Sequence, residues 1–460
     1  LIRAASQATG ERFCAASICR PTGLKGISLS SCCADNDVEE ILHDPAAPPI
    51  LKGPIPAPRP MTIGRQLDKP CTSLLSAKDT LTMENSGTSA PENTTPKGFL
   101  EFRNALVVPP AVGENGKYNG CSGVFQEDGT FVNSSLSVTG DKFVHNAPEL
   151  PAAGSFEETY LAGTHAVGGV FFGHFGHFIT ESTGRLWILG QDMPIDSIIF
   201  APKEKGFADH AVARQTGLLA AIGVHTDLTV IDRPVRVERL IVPDQEFGLS
   251  PDLIRGTPRY VDFMRRCAAT VKPEGAELLY ISRQGLPADR GMILGEQFLI
   301  DRLEAEGYHI FKPQRHTLQQ QAAHYRVAKK IISVDCFPLH FLAYVAHPDQ
   351  KISIIKRRSM DAITNILEQL ESFASPRVQV IDHIRADYVN KKFRRIGRTS
   401  WSDVSLKSVG ADLLAAGMIT SLDGWRDLTP AEIDAQLAEL GSESESPYWP
   451  IPVEDAVSAE

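Results

Sequence analysis

The sequence predicts an α/β protein built from two Rossmann-type, doubly wound domains, residues 98–256 and 257–385, facing a cleft. Three observations carry this prediction. Short β-branched runs such as DSIIFAP, LTVIDRP, ELLYISR, KIISVD and KISIIKRR recur along the middle of the chain. Helical segments, among them AVARQTGLLAAIGV, GEQFLIDRLEAEGY and TLQQQAAHYRVAKK, fall between them, and strands alternating with helices indicate a parallel sheet covered on both faces. Four of the later strands with their crossovers fit within about 80 residues, the size of a compact doubly wound unit.

Residues 1–97 are rich in Ser, Thr, Pro, Ala and Gly, include the run PAAPPILKGPIPAPRP, and show no sustained periodicity. They are expected to be disordered. Met61 ends that run and stands as a candidate translation start. From Gly98 the segments EFRNALVVPPAV, SGVFQEDGTFVN and SLSVTGD read as short strands of a small β-rich region. The stretch GGVFFGHFGHFITESTGRLWILGQ then leads from a glycine and aromatic turn into a predicted helix carrying Phe178, Ser182, Arg185 and Leu189 at helical spacing. DLIRGTPRYVDFMRRCAATV is predicted helical and opens the second domain. YHIFKP is a strand and PLHFLAYVAH a helix. Residues 386–460 read as a helical, acidic tail containing the basic run KKFRRIGR, most simply a solvated face, with phosphate or acidic-lipid contact as the alternative.

The 460 residues are 42% hydrophobic and 22% charged, with a net charge of −10, so nothing in the bulk composition favours nucleic acid. No run approaches the roughly 18 apolar residues of a membrane span, and the N-terminus lacks a basic segment followed by an apolar one. A soluble, cytoplasmic protein is expected. Of the 8 cysteines, Cys14, Cys19, Cys32 and Cys33 crowd the first segment at spacings that fit no common zinc pattern, and the other four are scattered, as free thiols in a reducing compartment would be.

Three constellations could carry chemistry. In GHFGHFITE, His177 and Glu181 are four residues apart, which on a helix places them on one face, and a carboxylate beside an imidazole suits general-base work on a hydroxyl. With His174 the same residues could instead ligate a metal, although two residues between the histidines is not the spacing that puts two ligands on one helical face. Packing at an aromatic turn is the third reading. In LLYISRQGLPADRGMILGEQ, Arg283 and Arg290 flank a loop leaving a strand and Glu296 opens the next helix; guanidinium groups there suit phosphate oxygens, or are merely surface charge. In SVDCFPLHFLAY, Asp335 ends a strand and His340 lies in the first helical turn, where backbone N–H groups attract anions, though Asp335 would equally serve as a helix cap. There is no glycine-rich phosphate loop.

Taken in order, these segments resemble the family 61 glycosyltransferases of capsular polysaccharide biosynthesis. Gly176, His177, Phe178, Glu181, Arg185 and Leu186 match that family's G-H-F-x-x-E/D-x-x-x-R-L segment, and Ser282, Arg283, Arg290, Glu296, Gln321 and Ala328 fall in register with its later positions. The chain departs from it at Gly295, where relatives have Asn, and over Ser333–Phe341, where a glycine-rich segment is replaced by one similar to the D-x-x-x-x-H loop of heptosyltransferase-like enzymes. The resemblance implies a GT-B arrangement, with acceptor on the first domain and nucleotide-sugar donor on the second, and inverting hexosyl or pentosyl transfer with no essential metal. It further implies Glu181 as base with His177 orienting it or sharing the role. Arg283, Arg290 and His340 would hold the donor phosphates beside Asp335, and Glu296 would accept from the donor ribose or from Arg283. His174 and Arg185 would shape the acceptor side. The implied partners are a nucleotide-sugar and a glycan or polysaccharide acceptor, with peripheral contact at the inner face of the membrane left open. The competing expectations are a metal-dependent hydrolase or oxygenase using His174, His177 and Glu181, and an inactive relative that only binds glycan.

Overall fold

The computed structural model describes residues 97–113, 117–157, 159–205, 209–390, 392 and 395–452. Met61, Cys14, Cys19, Cys32, Cys33 and the segment around them lie outside the described residues, as do Lys391, Phe393 and Arg394 of the basic run.

The first sheet begins with β1 (Phe99–Val108) and β2 (Gly123–Phe125), which are followed by a small hairpin of β3 (Val138–Thr139) and β4 (Lys142–Phe143). After β5 (Thr159–Phe171) the chain makes a single helical turn, α1 (Phe175–His177), and continues through β6 (Ser197–Pro202), α2 (Asp209–Ala221), β7 (Leu228–Val230) and β8 (Val235–Pro243). The strand order is β2-β1-β8-β5-β6-β7. The last four run parallel, as the alternation of strand and helix predicts, while β1 is antiparallel to both its neighbours. Thus β1 is not part of a separate β-rich region; it completes the main sheet, paired with β8 from Phe99↔Pro243 to Val107↔Val235. Chain order reverses between β5 and β8, and ligands of doubly wound sheets bind at the carboxyl ends beside such a reversal.

The helix expected over Phe178–Leu189 is broken. A π turn at Phe178–Ser182 gives way to a 3-10 turn at Leu186–Gly190. The cause is local competition for backbone partners. Thr180 Oγ1 donates to the Gly176 carbonyl at 2.8 Å, Ser182 Oγ to Val170 at 2.8 Å and Thr183 Oγ1 to Ile179 at 2.9 Å. Arg185, 2% exposed, turns inward to donate to the carbonyls of Ser134 and Leu136, each at 2.8 Å.

α3 (Pro258–Ala268) joins the two sheets. It starts later than the helical pattern from Asp252 predicts because Gly256 has φ +65° and Pro258 occupies the first turn, capped by Thr257. The second sheet follows the expected elements: β9 (Leu278–Ile281), α4 (Glu296–Ala305), β10 (His309–Phe311), α5 (Leu318–Val327), β11 (Lys330–Val334), α6 (Pro338–Val345), β12 (Lys351–Ile355), α7 (Thr364–Phe373) and β13 (Arg377–Ile381). All five strands are parallel in the order β10-β9-β11-β12-β13, with the reversal between β9 and β11.

One apolar cluster runs from the first sheet to the second, containing Phe171, Phe178, Trp187 and Phe247 together with Tyr325, Phe341, Tyr344 and Leu370. The tail is not simply helical. It holds α8 (Leu406–Ala415) and α9 (Pro430–Glu443), but also an antiparallel sheet of β14 (Ile384–Asn390), β15 (Trp401–Val404) and β16 (Tyr448–Pro452), in the order β15-β14-β16. Leu406, Val409, Leu413 and Tyr448 of this region pack with Tyr280, Ile293, Leu299 and Ile332 on the second sheet. Among the described residues, no helix is long and apolar enough to cross a membrane.

Candidate functional site

The loop leaving β5 at the first reversal carries His174, His177 and Glu181. The spacing of four that suggests pairing survives the change from α to π geometry: His177 Nδ1 lies 2.6 Å from Glu181 Oε1. Nδ1 donates to the carboxylate, which leaves Nε2 as the acceptor face of the ring. The Glu181 side chain is 6% exposed and that of His177 is 49% exposed. The ring of His177 stacks on Phe172 at 5.5 Å. On the far side of the loop, Arg214 and Gln215 of α2 both donate to the Gly173 carbonyl, at 2.6 and 2.9 Å.

His174 accepts a hydrogen bond from Gly176 N at Nδ1. Desolvation on its protein side, then the charges of His177, Arg214, Arg290 and Arg398, pull its pKa down to about 4, so the ring is neutral near pH 7. Two of those arginines belong to the later part of the chain, so the two expected halves of the site meet here. Packing says the same. The His174 ring lies 5.8 Å from Phe337, Phe175 lies 5.9 Å from Phe341, and a Cβ on Gly176 would sit 2.5 Å from the Phe337 ring. A glycine at 176 is what allows the loop after β11 to close on the loop after β5.

At the second reversal, the carboxyl end of β9 is organised by Glu296. Its Oε1 accepts from Tyr280 OH, Ser282 Oγ and the backbone N–H of Arg283, at 3.2, 2.8 and 2.9 Å. Burial raises its pKa and these bonds oppose the rise. Glu296 therefore takes the Arg283 main chain, not its guanidinium. The guanidinium reaches along the loop to the carbonyls of Arg290 and Gly291, at 2.6 and 3.2 Å. Arg290, held in turn, has a buried Nε without a hydrogen-bond partner among the described residues, and its nearest carboxylate, Asp289, is 3.7 Å away.

Asp335 and His340 stand behind this surface. Asp335, 2% exposed, is not a helix cap: Oδ1 accepts from Arg357 N at 2.7 Å and Oδ2 from Arg358 Nε at 3.1 Å. Arg357 is 4% exposed, and burial takes its pKa down to about 9 despite Asp335. His340 is buried, its Nδ1 lies 2.6 Å from Gln369 Oε1, and desolvation lowers its pKa, so burial works against the charged ring that the phosphate-binding expectation calls for. Arg185 is likewise sealed in the core, where it fixes the 134–136 loop. Among the described residues, no three His, Cys, Asp or Glu are grouped so as to hold a metal ion.

Sequence reasoning missed Arg214, Arg357, Arg358 and Arg398. The last lies in the basic run that reads as a solvated face. Its carbonyl instead accepts from Arg357 Nη1 at 3.2 Å, and a Cβ on Gly291 (φ +62°) would collide with that carbonyl and with Ser400's. The tail sheet also ties down the Arg290 loop. Ser402 exchanges backbone bonds with Met292 and Leu294, at 3.0 and 2.7 Å, and Trp401 Nε1 donates to the Ala288 carbonyl at 2.8 Å. No signal in the single sequence links residues this far apart.

Comparison with known proteins bears on these same elements. No curated protein matches the chain. Residues 175–336, which run from α1 to the loop after β11 and include His177, Glu181, Arg283, Arg290 and Glu296, match the model of the family described as Glycosyltransferase 61. Over this stretch the chain is similar to the family 61 glycosyltransferases.

Proposed function

We propose that this protein is an inverting, metal-independent glycosyltransferase that moves a sugar from a nucleotide-sugar to a hydroxyl of a glycan or polysaccharide acceptor, in a GT-B-like division with acceptor on the first sheet and donor on the second. The observation that carries the reading is the His177–Glu181 pair at the carboxyl end of β5, set against the arginine-bearing loop that leaves β9. Inversion needs one group to take the acceptor proton and cations to stabilise the departing diphosphate. The exposures divide the first task. Buried Glu181 orients and charges the pair, and His177, with Nε2 outward, touches the acceptor hydroxyl. Arg283 and Arg290 hold the diphosphate, with Arg214 and Arg398 adding positive potential. Asp335, Glu296 and His340 support the donor side from behind. The net charge of −10 supports a glycan over a polyanionic partner.

The test is a thermal-shift screen with UDP-, GDP-, TDP- and CMP-sugars, since a ligand of the folded state raises the melting temperature, followed by turnover of the stabilising donor. Glu181→Gln and His177→Ala should each lower turnover by about 10²–10⁴-fold while the donor still stabilises the protein. Turnover unchanged in both variants would exclude the pair as base.

A further inference from the structure

Behind the π turn that bears Glu181 lie three buried hydroxyls from distant parts of the chain. Thr183 Oγ1 is 2.9 Å from Tyr260 OH and 3.0 Å from Tyr344 OH, and the two phenols are 2.9 Å apart. Thr183 and Tyr260 are fully buried and Tyr344 is 4% exposed. Two of the hydroxyls converge on one acceptor, the Ile179 carbonyl: Tyr344 OH donates at 2.7 Å and Thr183 Oγ1 at 2.9 Å. The Tyr260 hydroxyl, 2.9 Å from each of the other two, completes the cluster.

Packing alone does not require any of this. The Tyr260 ring stacks on Phe247 at 4.9 Å, and Tyr344 meets Phe373 edge-on at 5.1 Å. Phenylalanine would fill both places without a buried polar group. The hydroxyls matter because of what they hold. Ile179 lies between His177 and Glu181, Tyr260 belongs to α3 at the junction of the sheets, and Tyr344 belongs to α6. The loop that begins α6 also touches Gly176 through Phe337. α6 and the residue before it thus hold this stretch at two points, Gly176 of α1 by an apolar contact and Ile179 of the π turn by a hydrogen bond.

We propose that Thr183, Tyr260 and Tyr344 are positioning residues that fix the His177–Glu181 pair relative to the second sheet, so that the base is aimed at the donor-bearing side. The proposal rests on reading that pair as the base. Tyr344 has the larger role because it bonds the turn directly, and Tyr260 acts by orienting the other two hydroxyls.

The test measures nucleotide release from a panel of UDP-, GDP-, TDP- and CMP-sugars by full-length Tyr344→Phe, Tyr260→Phe and Tyr325→Phe, together with amide hydrogen exchange over residues 178–183. Tyr325 is the control: its ring is equally buried and its hydroxyl has no partner among the described residues. Tyr344→Phe should lower kcat by about ten- to a hundredfold, as misplacement of a catalytic group by an ångström can, with KM for the donor within about twofold and faster exchange in the turn. Tyr260→Phe should show a smaller loss and Tyr325→Phe none. In a Glu181→Gln background, Tyr344→Phe should cost little further, because both changes disable one device. Unchanged kcat in Tyr344→Phe, or an equal loss with and without Glu181, overturns the proposal. Full activity of Glu181→Gln with all three hydroxyls intact overturns the base reading, and the proposal with it. If no donor in the panel turns over, unaltered exchange in Tyr344→Phe overturns it.

Discussion

Replacing Asp335 with Asn changes the volume of the side chain very little and removes the carboxylate that pairs with Arg357 and Arg358 at the end of β11. In the native protein the carboxylate is 2% exposed and accepts from Arg357 N at 2.7 Å and Arg358 Nε at 3.1 Å, while its own carbonyl accepts from Arg357 Nε at 2.9 Å. The amide can accept at one atom only, so its NH₂ must oppose a donor. The guanidinium of Arg357, 4% exposed, is left as an uncompensated buried charge. Breaking a buried pair in this way costs about 3–5 kcal/mol. Equilibrium urea unfolding at pH 7 should show that loss, and adding Arg357→Met should restore part of it, since the offending charge is then gone. The pH dependence has a definite sign. Burial already holds Arg357 down to about 9, and without Asp335 it falls further, so the unfolded chain binds more protons above neutrality and the variant should regain stability as pH rises from 7 towards 10. A loss below about 1 kcal/mol, or a deficit that grows with pH, would refute the reasoning.

Three further outcomes are expected. Arg290→Met should weaken nucleotide-sugar binding about 10- to 100-fold, the worth of a charged hydrogen bond, with the unfolding midpoint in the absence of donor little changed; equal donor-induced thermal shifts in both proteins would contradict it. His145, 2% exposed and bonded to Ser122 Oγ at 2.8 Å, has its pKa taken down to about 4 by burial and by Lys203. Below its unfolded value near 6.5 only the unfolded chain takes up its proton, so stability should fall between pH 6.5 and 4 by roughly 3 kcal/mol, and urea midpoints of His145→Asn should lack that component. Gly176→Ala should lower turnover by pushing the Phe337 ring, and Phe337→Ala should restore it, as measured by donor consumption in the single and double variants.

The parallel sheets were legible because their strands are apolar runs bounded by amphipathic helices; β9, β11 and β12 stand out as LLYI, KIISV and KISII. The tail sheet was not, because β14 mixes Arg385 and Asp387 with Ile384 and Val389, and its partners come from segments on either side of α8 and α9. In the site, His177 and Glu181 could be found from spacing alone, since a separation of four brings side chains together in either an α or a π turn. The inward course of Arg185 could not, because a buried arginine bonded to distant carbonyls leaves the same mark in a sequence as an exposed one. Asp335 and His340 were picked for their place at a helix start, yet each is occupied by a partner, Arg357 from the loop after β12 and Gln369 from α7.

The bonds from Trp401 and Ser402 to the Arg290 loop bear on how the protein can be divided. The segment shared with the family ends at residue 336, and the parallel sheet itself ends with β13, so trimming the gene after residue 385 would look harmless. A protein cut there would keep every parallel strand and lose the backing of residues 288–294, together with the Arg398 carbonyl that braces Arg357. Its Arg290 loop would be slack. The last 75 or so residues are better regarded as a clamp that belongs to the catalytic unit, and the smallest active fragment should extend at least through β16.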